Sequence, residues 1–334
     1  MNNLHKPFSL QIYAVGGFAM NVVSKFEQSV DAENLTIRYI DTSTANLVGD
    51  VDPANLYIYK KGDAQMNGGG KDRRSTYAAI APHIPEIMKK YPPQDFNIVV
   101  HSCSGASGAT VGPALVGELL DRNAPVIVVQ VGSQGSRKEV ENTLGTLQSY
   151  VNLSASKKKP IVAYYRENNS ASTFSEVDAD VTSALFMSTL LFSDKNPGMD
   201  KADLVNLLNY QAVTTFKPEL SGLEFFRDSV EVPDHVVPQV MAMLVGDLKP
   251  DDISGTASNI RVEYVADARL GEENKARVPD VKSVFALVYT GDYVTIVSRL
   301  NRELEHYKEE ERNRSTAMSL TVSGNSSSDD FMSF

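Results

Sequence analysis

The chain has 334 residues, enough for one large or two ordinary domains, and 42% of them are hydrophobic. Its formal net charge of −10 argues against general binding to nucleic acids or anionic membranes. Cys103 is the only cysteine, which excludes an internal disulfide and favours a reducing cytoplasm. No run of about 18 apolar residues predicts a membrane span, and the five histidines lack the spacing of metal ligands.

Strand and helix signals alternate through the first two thirds of the chain. This alternation predicts an α/β fold with a doubly wound, mostly parallel sheet. In such sheets, ligands bind beyond the carboxyl ends of the strands. We expect strands at 10–15, 35–40, 56–59, 96–100, 126–131 and 161–165, and helices at 20–28, 73–90, 111–122 and 137–151.

The last third of the chain predicts a smaller α/β unit behind a long helix. Its elements are a central helix at 174–192, a helix at 201–210, strands at 260–265 and 283–289, and a charged helix at 293–312. The final residues are too polar to form a core of their own. We therefore divide the chain into a binding domain at 1–173, a central helix at 174–196, a smaller domain at 197–312 and a flexible tail at 313–334.

Small residues connect the fourth predicted strand to the helix that follows it. Such a loop lets backbone N–H groups close around an anion, and the helix N-terminus adds the positive end of its dipole. The segment therefore predicts phosphate binding. Its sequence is Ser104-Gly105-Ala106-Ser107-Gly108-Ala109-Thr110.

A second small-residue loop follows the first predicted strand. Gly16 and Gly17 allow a tight turn and a close approach to phosphate, with Asn21 shortly after them. The alternative is an ordinary turn between a strand and a helix. A dinucleotide-binding loop is also conceivable, since Asp41 ends the second strand, but Phe18 occupies a place where that motif has glycine.

Two further polar segments lie near predicted strand ends. Asp41 and Thr42 would suit a hydrated magnesium ion or a phosphate-side water, or would serve as turn caps. The glycines at 68–70 are followed by Lys71, whose charge opposes the dipole of a helix start unless an anion is bound there. The alternative is a flexible surface loop. Asp72 after Lys71 excludes a P-loop.

Three carboxylates open predicted helices. Asp178, in the first turns of the long helix, would accept two hydrogen bonds from the N1–H and N2 amine of guanine, or would be a solvated acid favoured there by the dipole. Asp200 and Asp203 share one face of the next helix start and would orient a water, or would simply cap the helix.

In this order, the motifs resemble the tubulin/FtsZ superfamily, and most of all its bacteriophage-encoded branch (PhuZ-type tubulins). The resemblance spans 10–312. It includes the glycine-rich signature loop at 104–110, the base-reading position at Asp178 and the Asp-x-x-Asp of the catalytic loop at Asp200 and Asp203. The signature loop departs from the family pattern at Ala106 and Thr110.

The resemblance implies a GTPase that polymerises into head-to-tail filaments. Asp178 would read guanine, Mg²⁺ would be held mainly by phosphates and water, and Asp200 and Asp203 would act on the nucleotide of the next subunit. Glu139 and Asn142 are candidates for ribose contacts. GTP would be held by Gly16, Gly17, Asn21, Gly68, Gly69, Gly70 and the loop from Ser104 to Thr110, with Asp41 and Thr42 near its hydrated magnesium ion.

The partner that the resemblance implies is a second copy of the chain, not nucleic acid or membrane. The tail residues Asp329, Asp330, Phe331 and Phe334 would dock on a neighbouring subunit. In this branch the filaments form a spindle that positions phage DNA in the host cytoplasm.

Two alternatives to a GTPase remain. A structural relative without hydrolysis is suggested by Ala106 and Thr110, because an alanine forced to a positive φ costs about 1 kcal/mol. An NAD-dependent oxidoreductase is suggested by Gly16, Gly17 and Asp41.

Overall fold

A computed structural model describes residues 8–31, 34–59, 70–246 and 260–324, with 315–324 as backbone only. Ten strands form one sheet in this part of the chain. In chain order they are β1 (Leu10–Val15), β2 (Leu35–Asp41), β3 (Leu56–Ile58), β4 (Phe96–Ser102), β5 (Val126–Ser133), β6 (Ile161–Asn168), β7 (Leu220–Arg227), β8 (Val237–Val245), β9 (Tyr264–Arg269) and β10 (Ser283–Thr290).

The spatial order of the strands is β3-β2-β1-β4-β5-β6-β7-β10-β8-β9. Neighbours from β3 to β7 are parallel, β10 is antiparallel to β7 and β8, and β9 is parallel to β8. The order from β3 to β6 is that of a doubly wound sheet, which confirms the predicted fold class. The order of strands reverses between β1 and β4, and a ligand crevice is expected at their carboxyl ends.

Helices cover both faces of the sheet. α1 and α6 share one apolar core, whereas α2 to α5 and α9 share the other. Alternate residues of the buried strand β1 point to opposite cores, with Ile12 on the first side and Tyr13 on the second. The helices are α1 (Gly16–Ser29), α2 (Arg73–Ile80), α3 (Ile84–Lys90), α4 (Ser107–Asp121), α5 (Arg137–Lys157), α6 (Phe174–Leu191), α7 (Lys201–Leu208), α8 (Glu272–Arg277) and α9 (Asp292–Gly324).

Several boundaries differ from the sequence prediction. The helix predicted at 73–90 is broken by a 3₁₀ turn at Ala81–His83, because Pro82 and Pro85 lack the N–H that a continuous helix needs. α1 begins at Gly16 rather than at 20, and α4 begins at Ser107 rather than at 111. β7, β8 and α8 were not predicted, β9 lies four residues later than expected, and α9 continues past 312 to Gly324.

The central helix α6 connects the two edges of the sheet. It begins in a capping box, in which Thr173 Oγ1 accepts from Glu176 N and Glu176 Oε2 accepts from Thr173 N. Its 18 residues span about 27 Å at about 1.5 Å per residue. The helix starts just after β6 ends, at the carboxyl ends of the parallel strands. It runs across the sheet and ends near the amino ends of these strands.

Arg166 on β6 connects the parallel strands to β7 and to the first turns of α6. Arg166 on β6 donates to both carboxylate oxygens of Glu224 on β7, at 2.6 and 2.8 Å, and to Asp180 on α6 at 3.0 Å. Bidentate pairs of this kind fix geometry as well as charge. The first turns of α6 are therefore tied both to the parallel strands and to the strands that follow.

Candidate functional site

A cavity of about 390 Å³ opens at the carboxyl ends of β1, β2 and β4, in the crevice that the strand order predicts. It lies where α1 and α4 begin. Its lining residues are Val15, Gly16, Gly17, Phe18, Asp41, Ser43, Ala45, Asn46, Gly70, Lys71, Ser102, Ser104, Gly105, Ala106, Ser107 and Gly108.

Two backbones touch at the floor of this cavity. Gly16 has φ +80°, and a Cβ placed on it would lie 2.9 Å from the backbone nitrogen of Gly108. A Cβ on Gly108 would in turn lie 2.7 Å from the carbonyl oxygen of Ser102. Only glycine fits either position. This contact brings the first turns of α1 and α4 side by side.

Both helices begin without a side-chain cap. Neither Val15 before α1 nor Ala106 before α4 accepts a hydrogen bond from the helix N-terminus, whereas Ser136, Thr173 and Asp200 cap α5, α6 and α7. The first N–H groups of a helix have no partner within the helix. Two uncapped N-termini in one cavity therefore offer donors and positive dipole ends to an anion such as phosphate.

The loop before α4 is held by its own hydroxyl groups. Ser104 N donates to Ser102 Oγ at 3.2 Å, and Thr110 Oγ1 donates to Ala106 O at 2.8 Å. Ala106 has φ −92° and ψ −58°, so the alanine in place of a family glycine carries no left-handed strain. Thr110 and Ala109 are buried in the first turns of α4 and do not line the cavity.

A buried carboxyl group forms one wall of the cavity. Asp41 is 4% exposed, and burial raises its pKa, against the opposing effect of hydrogen bonds from Thr42 N, at 2.8 Å, and the Ser107 hydroxyl. Thr42 itself is buried behind it and does not line the cavity. Asp41 thus faces the same space as the two helix N-termini.

Lys71 reaches the opposite rim. Its Nζ lies 2.5 Å from Glu139 Oε1, and Ser133 Oγ donates to Glu139 Oε2 at 3.0 Å. Asn142 is buried behind the rim, where its Nδ2 donates to the carbonyls of Lys71, at 3.0 Å, and Ser104, at 2.9 Å. Glu139 and Asn142 therefore connect the loops around the cavity without lining it.

The candidate base-reading residue lies to one side, on the layer formed by α1 and α6. Burial raises the pKa of Asp178, whereas the charge of Lys25 on α1 lowers it. Lys25 Nζ also donates to Asn21 Oδ1 at 2.8 Å. Asn21 lies in the second turn of α1 and not in a loop. Phe174, one turn before Asp178, is 74% exposed.

Asp200 and Asp203 lie at the other edge of the sheet. Lys201 between them pairs with Asp95, which directly precedes β4, so α7 begins at the amino ends of the strands. The two acids form a capping box, in which Asp200 Oδ1 accepts from Asp203 N and Asp203 Oδ2 accepts from Asp200 N. Tyr264 donates to Asp203 Oδ1 at 2.9 Å. Within one chain, neither acid meets the cavity.

The polar residues beneath the cavity are not reactive groups. Cys103 donates to Gln130 Oε1 at 3.3 Å, Gln130 donates to Tyr293, and burial raises the pKa of the thiol. His101 lies 2.7 Å from the Tyr150 hydroxyl, and burial lowers its pKa to about 4. The thiol is therefore protonated and the imidazole neutral at physiological pH.

The structure adds residues that the sequence motifs did not include. Asn46 packs its side chain against Gly17, and Ala45 also lines the cavity. The turn-rich segment after β2 was the only signal for them. Of the predicted residues, Gly16, Gly17, Asp41, Gly70 and those at 104–108 share the cavity, while Gly68 and Gly69 lie outside the described residues.

Within the described ranges, no group of three or more His, Cys, Asp or Glu side chains is arranged to hold a metal ion. In the same ranges, no helix is long and apolar enough to cross a membrane.

No family model matches the chain. It is 27% identical over 247 residues to a phage tubulin-like protein of Pseudomonas phage PhiPA3, a match that covers 74% of this chain and 76% of the relative. Two further phage tubulin-like proteins, at 31% and 27% identity, are matched over 62% of their length.

Solved structures of phage tubulins are similar to this chain in fold. A protofilament of TubZ from bacteriophage PhiKZ superposes with a TM-score of 0.78 at 25% identity, over 97% of this chain and 95% of that one. The phage tubulin PhuZ with GDP superposes with a TM-score of 0.78 over the same shares of the two chains. Its 20% identity supports the fold alone.

We expect Gly16→Ala to destabilise the protein by about 1–3 kcal/mol, because alanine is strained at a positive φ and its Cβ would meet Gly108. Gly105→Ala is the matched control, since φ is not positive there and a Cβ would meet nothing within 4 Å. Urea unfolding followed by circular dichroism measures both. Equal midpoints for the two variants would contradict the close contact at Gly16.

Proposed function

We propose that the chain is a phage tubulin-like protein of the tubulin/FtsZ superfamily, and that it binds GTP, joins head to tail and hydrolyses the nucleotide between successive subunits. The observation that carries this proposal is the pair of uncapped helix N-termini over the Gly16–Gly108 contact. They supply two sets of unpaired donors in one cavity, an arrangement suited to the adjacent phosphates of a nucleotide.

The base end of the nucleotide would lie on the layer formed by α1 and α6. Asp178 and Phe174 are four residues apart on α6 and therefore on one face of the helix. The carboxylate suits the two neighbouring donors of guanine, and the exposed ring offers a stacking surface for the base. Together they favour guanine over adenine, which lacks that pair of donors.

The catalytic acids would come from the next subunit. Asp200 and Asp203 lie at the sheet edge opposite the cavity, beyond the end of α6, which itself spans about 27 Å. If one subunit stacks its amino edge on the carboxyl edge of another, both acids reach the terminal phosphate and orient the attacking water. The protofilament arrangement of the PhiKZ relative supports such stacking.

The cofactors in this proposal are GTP or GDP with Mg²⁺. The ion would be held mainly by phosphates and water, and the buried Asp41 in the cavity lining would accept hydrogen bonds from its water ligands. The negative φ of Ala106 means that this alanine carries no left-handed strain, which leaves Thr110 as the support for a relative without hydrolysis. The oxidoreductase alternative has no support from the phage tubulin-like relatives.

The partner in this proposal is a second copy of the chain, within filaments in the bacterial host cytoplasm that position phage DNA. The tail residues Asp329, Asp330, Phe331 and Phe334, proposed to dock on a neighbour, lie outside the described residues. Arg299 is not available as an ion-pair partner for the acidic tail residues, because it already pairs with the buried Glu167.

Phosphate release from GTP and from ATP, measured against protein concentration with pelleting in parallel, tests the proposed function. We expect GTP-specific turnover that appears only above a threshold concentration and together with polymer, because neither edge of the subunit is a complete site. Turnover linear in protein without polymer would contradict a shared site.

Asp203→Asn should lower GTP turnover per subunit by at least about a hundredfold while leaving GTP binding and pelleting intact. The asparagine keeps an oxygen for the capping box and loses the charge that orients water. Tyr264→Phe is the control, because it removes the hydrogen bonds of the Tyr264 hydroxyl to Asp203 Oδ1 and from Asn206 Nδ2 but keeps both acids. Normal turnover in Asp203→Asn would refute the catalytic role.

Removal of the residues from Ser323 onward should raise the critical concentration for assembly, because it removes the proposed contact with a neighbour. Light scattering and pelleting against protein concentration measure this value. An unchanged critical concentration would make the tail a passive segment.

A further inference from the structure

Lys71 is the one cation among the described residues that line the cavity. Its ammonium lies 2.5 Å from Glu139 Oε1 at the rim, with the side chain of Lys71 51% exposed and that of Glu139 19% exposed. An ion pair this open to solvent gives little stability. It is therefore a pair that a stronger anion can replace.

The backbone of Lys71 is fixed although its side chain is exposed. Lys71 has φ +58°, in the left-handed region that lysine seldom adopts. The buried Asn142 amide donates to its carbonyl and to that of Ser104, which joins this residue to the loop before α4. The ammonium is thereby kept within reach of whatever occupies the N-terminus of α4.

The two layers of helices set the direction of a bound nucleotide. Asp178 lies on the layer of α1 and α6, whereas α2 and α5, next to Lys71 and carrying Glu139, belong to the opposite layer. A nucleotide whose base reaches Asp178 must cross the sheet edge at Gly16 and Gly108. Its last phosphate then points toward Lys71.

From this arrangement we propose that Lys71 distinguishes a nucleoside triphosphate from a diphosphate, and that Glu139 holds its ammonium until a terminal phosphate replaces the carboxylate. The inference rests on the proposed function. A phosphate carries more charge than a carboxylate and forms stronger charge-assisted hydrogen bonds. Glu139 is not left unpaired by the exchange, because it keeps the Ser133 hydroxyl and lies in the first turn of α5.

The experiment compares dissociation constants for GDP and for a slowly hydrolysed GTP analogue, in the full chain below its assembly concentration. Lys71→Met keeps the length of the side chain and removes its charge, and should weaken binding of the analogue about tenfold with less than about a threefold change for GDP. Glu139→Gln removes the competing charge and should tighten binding of the analogue relative to GDP.

Lys138→Met is the matched control. Lys138 is adjacent to Glu139 in the chain, is 56% exposed, pairs with Glu141 at 3.8 Å and does not line the cavity. Both constants should stay unchanged in this variant. Equal weakening of both nucleotides by Lys71→Met, or no weakening of either, would overturn the role of Lys71 while leaving the proposed function intact. Failure of the unmodified chain to bind either nucleotide would instead overturn the proposed function, and this inference with it.

Discussion

The contact between Gly16 and Gly108 is the constraint on which the rest of the site depends. Two parallel neighbours, β1 and β4, deliver their chains to the same edge, and the helices that follow depart to opposite faces of the sheet. Their first turns come close because Gly16 has no side chain to meet Gly108, and Gly108 has none to meet Ser102 at the end of β4. Without that approach, each helix N-terminus would be a separate weak anion site.

The same constraint explains the contrast in helix caps. A serine, threonine or aspartate before α1 or α4 would satisfy the first N–H groups internally and close the cavity to anions. The chain instead has Val15 and Ala106 at these two positions, and it has capping residues where helices do other work, as at Thr173 and Asp200. A side-chain cap is therefore missing at both of the helix N-termini that open into the cavity.

The sequence allowed the strands at the centre of the sheet, the long helix α6 and the small-residue loops at 16–17 and 104–108 to be predicted, because each is local in the chain. The strands β7 and β8 were missed, since Gly222 and Pro238 interrupt their β-forming residues and long-range pairing with β10 supplies what is lacking. For the same reason Asn46 was not predicted, and Asn142 was predicted to contact ribose rather than to donate to the carbonyls of Lys71 and Ser104. Asn46 contacts Gly17, 29 residues away, and Asn142 contacts Ser104, 38 residues away. The sequence around an asparagine does not indicate which distant backbone group its side chain will contact.

The capping box formed by Asp200 and Asp203 has a consequence for the life of a filament. The acids are already ordered in a single subunit, so the arrival of a neighbour supplies only nearness and requires no refolding. In a head-to-tail chain joined as proposed, one terminal subunit always has its cavity uncovered and meets no acids. The nucleotide of that subunit would stay unhydrolysed for longer than the nucleotides inside the filament. The two ends of the polymer would therefore differ in nucleotide state as well as in the surface they expose.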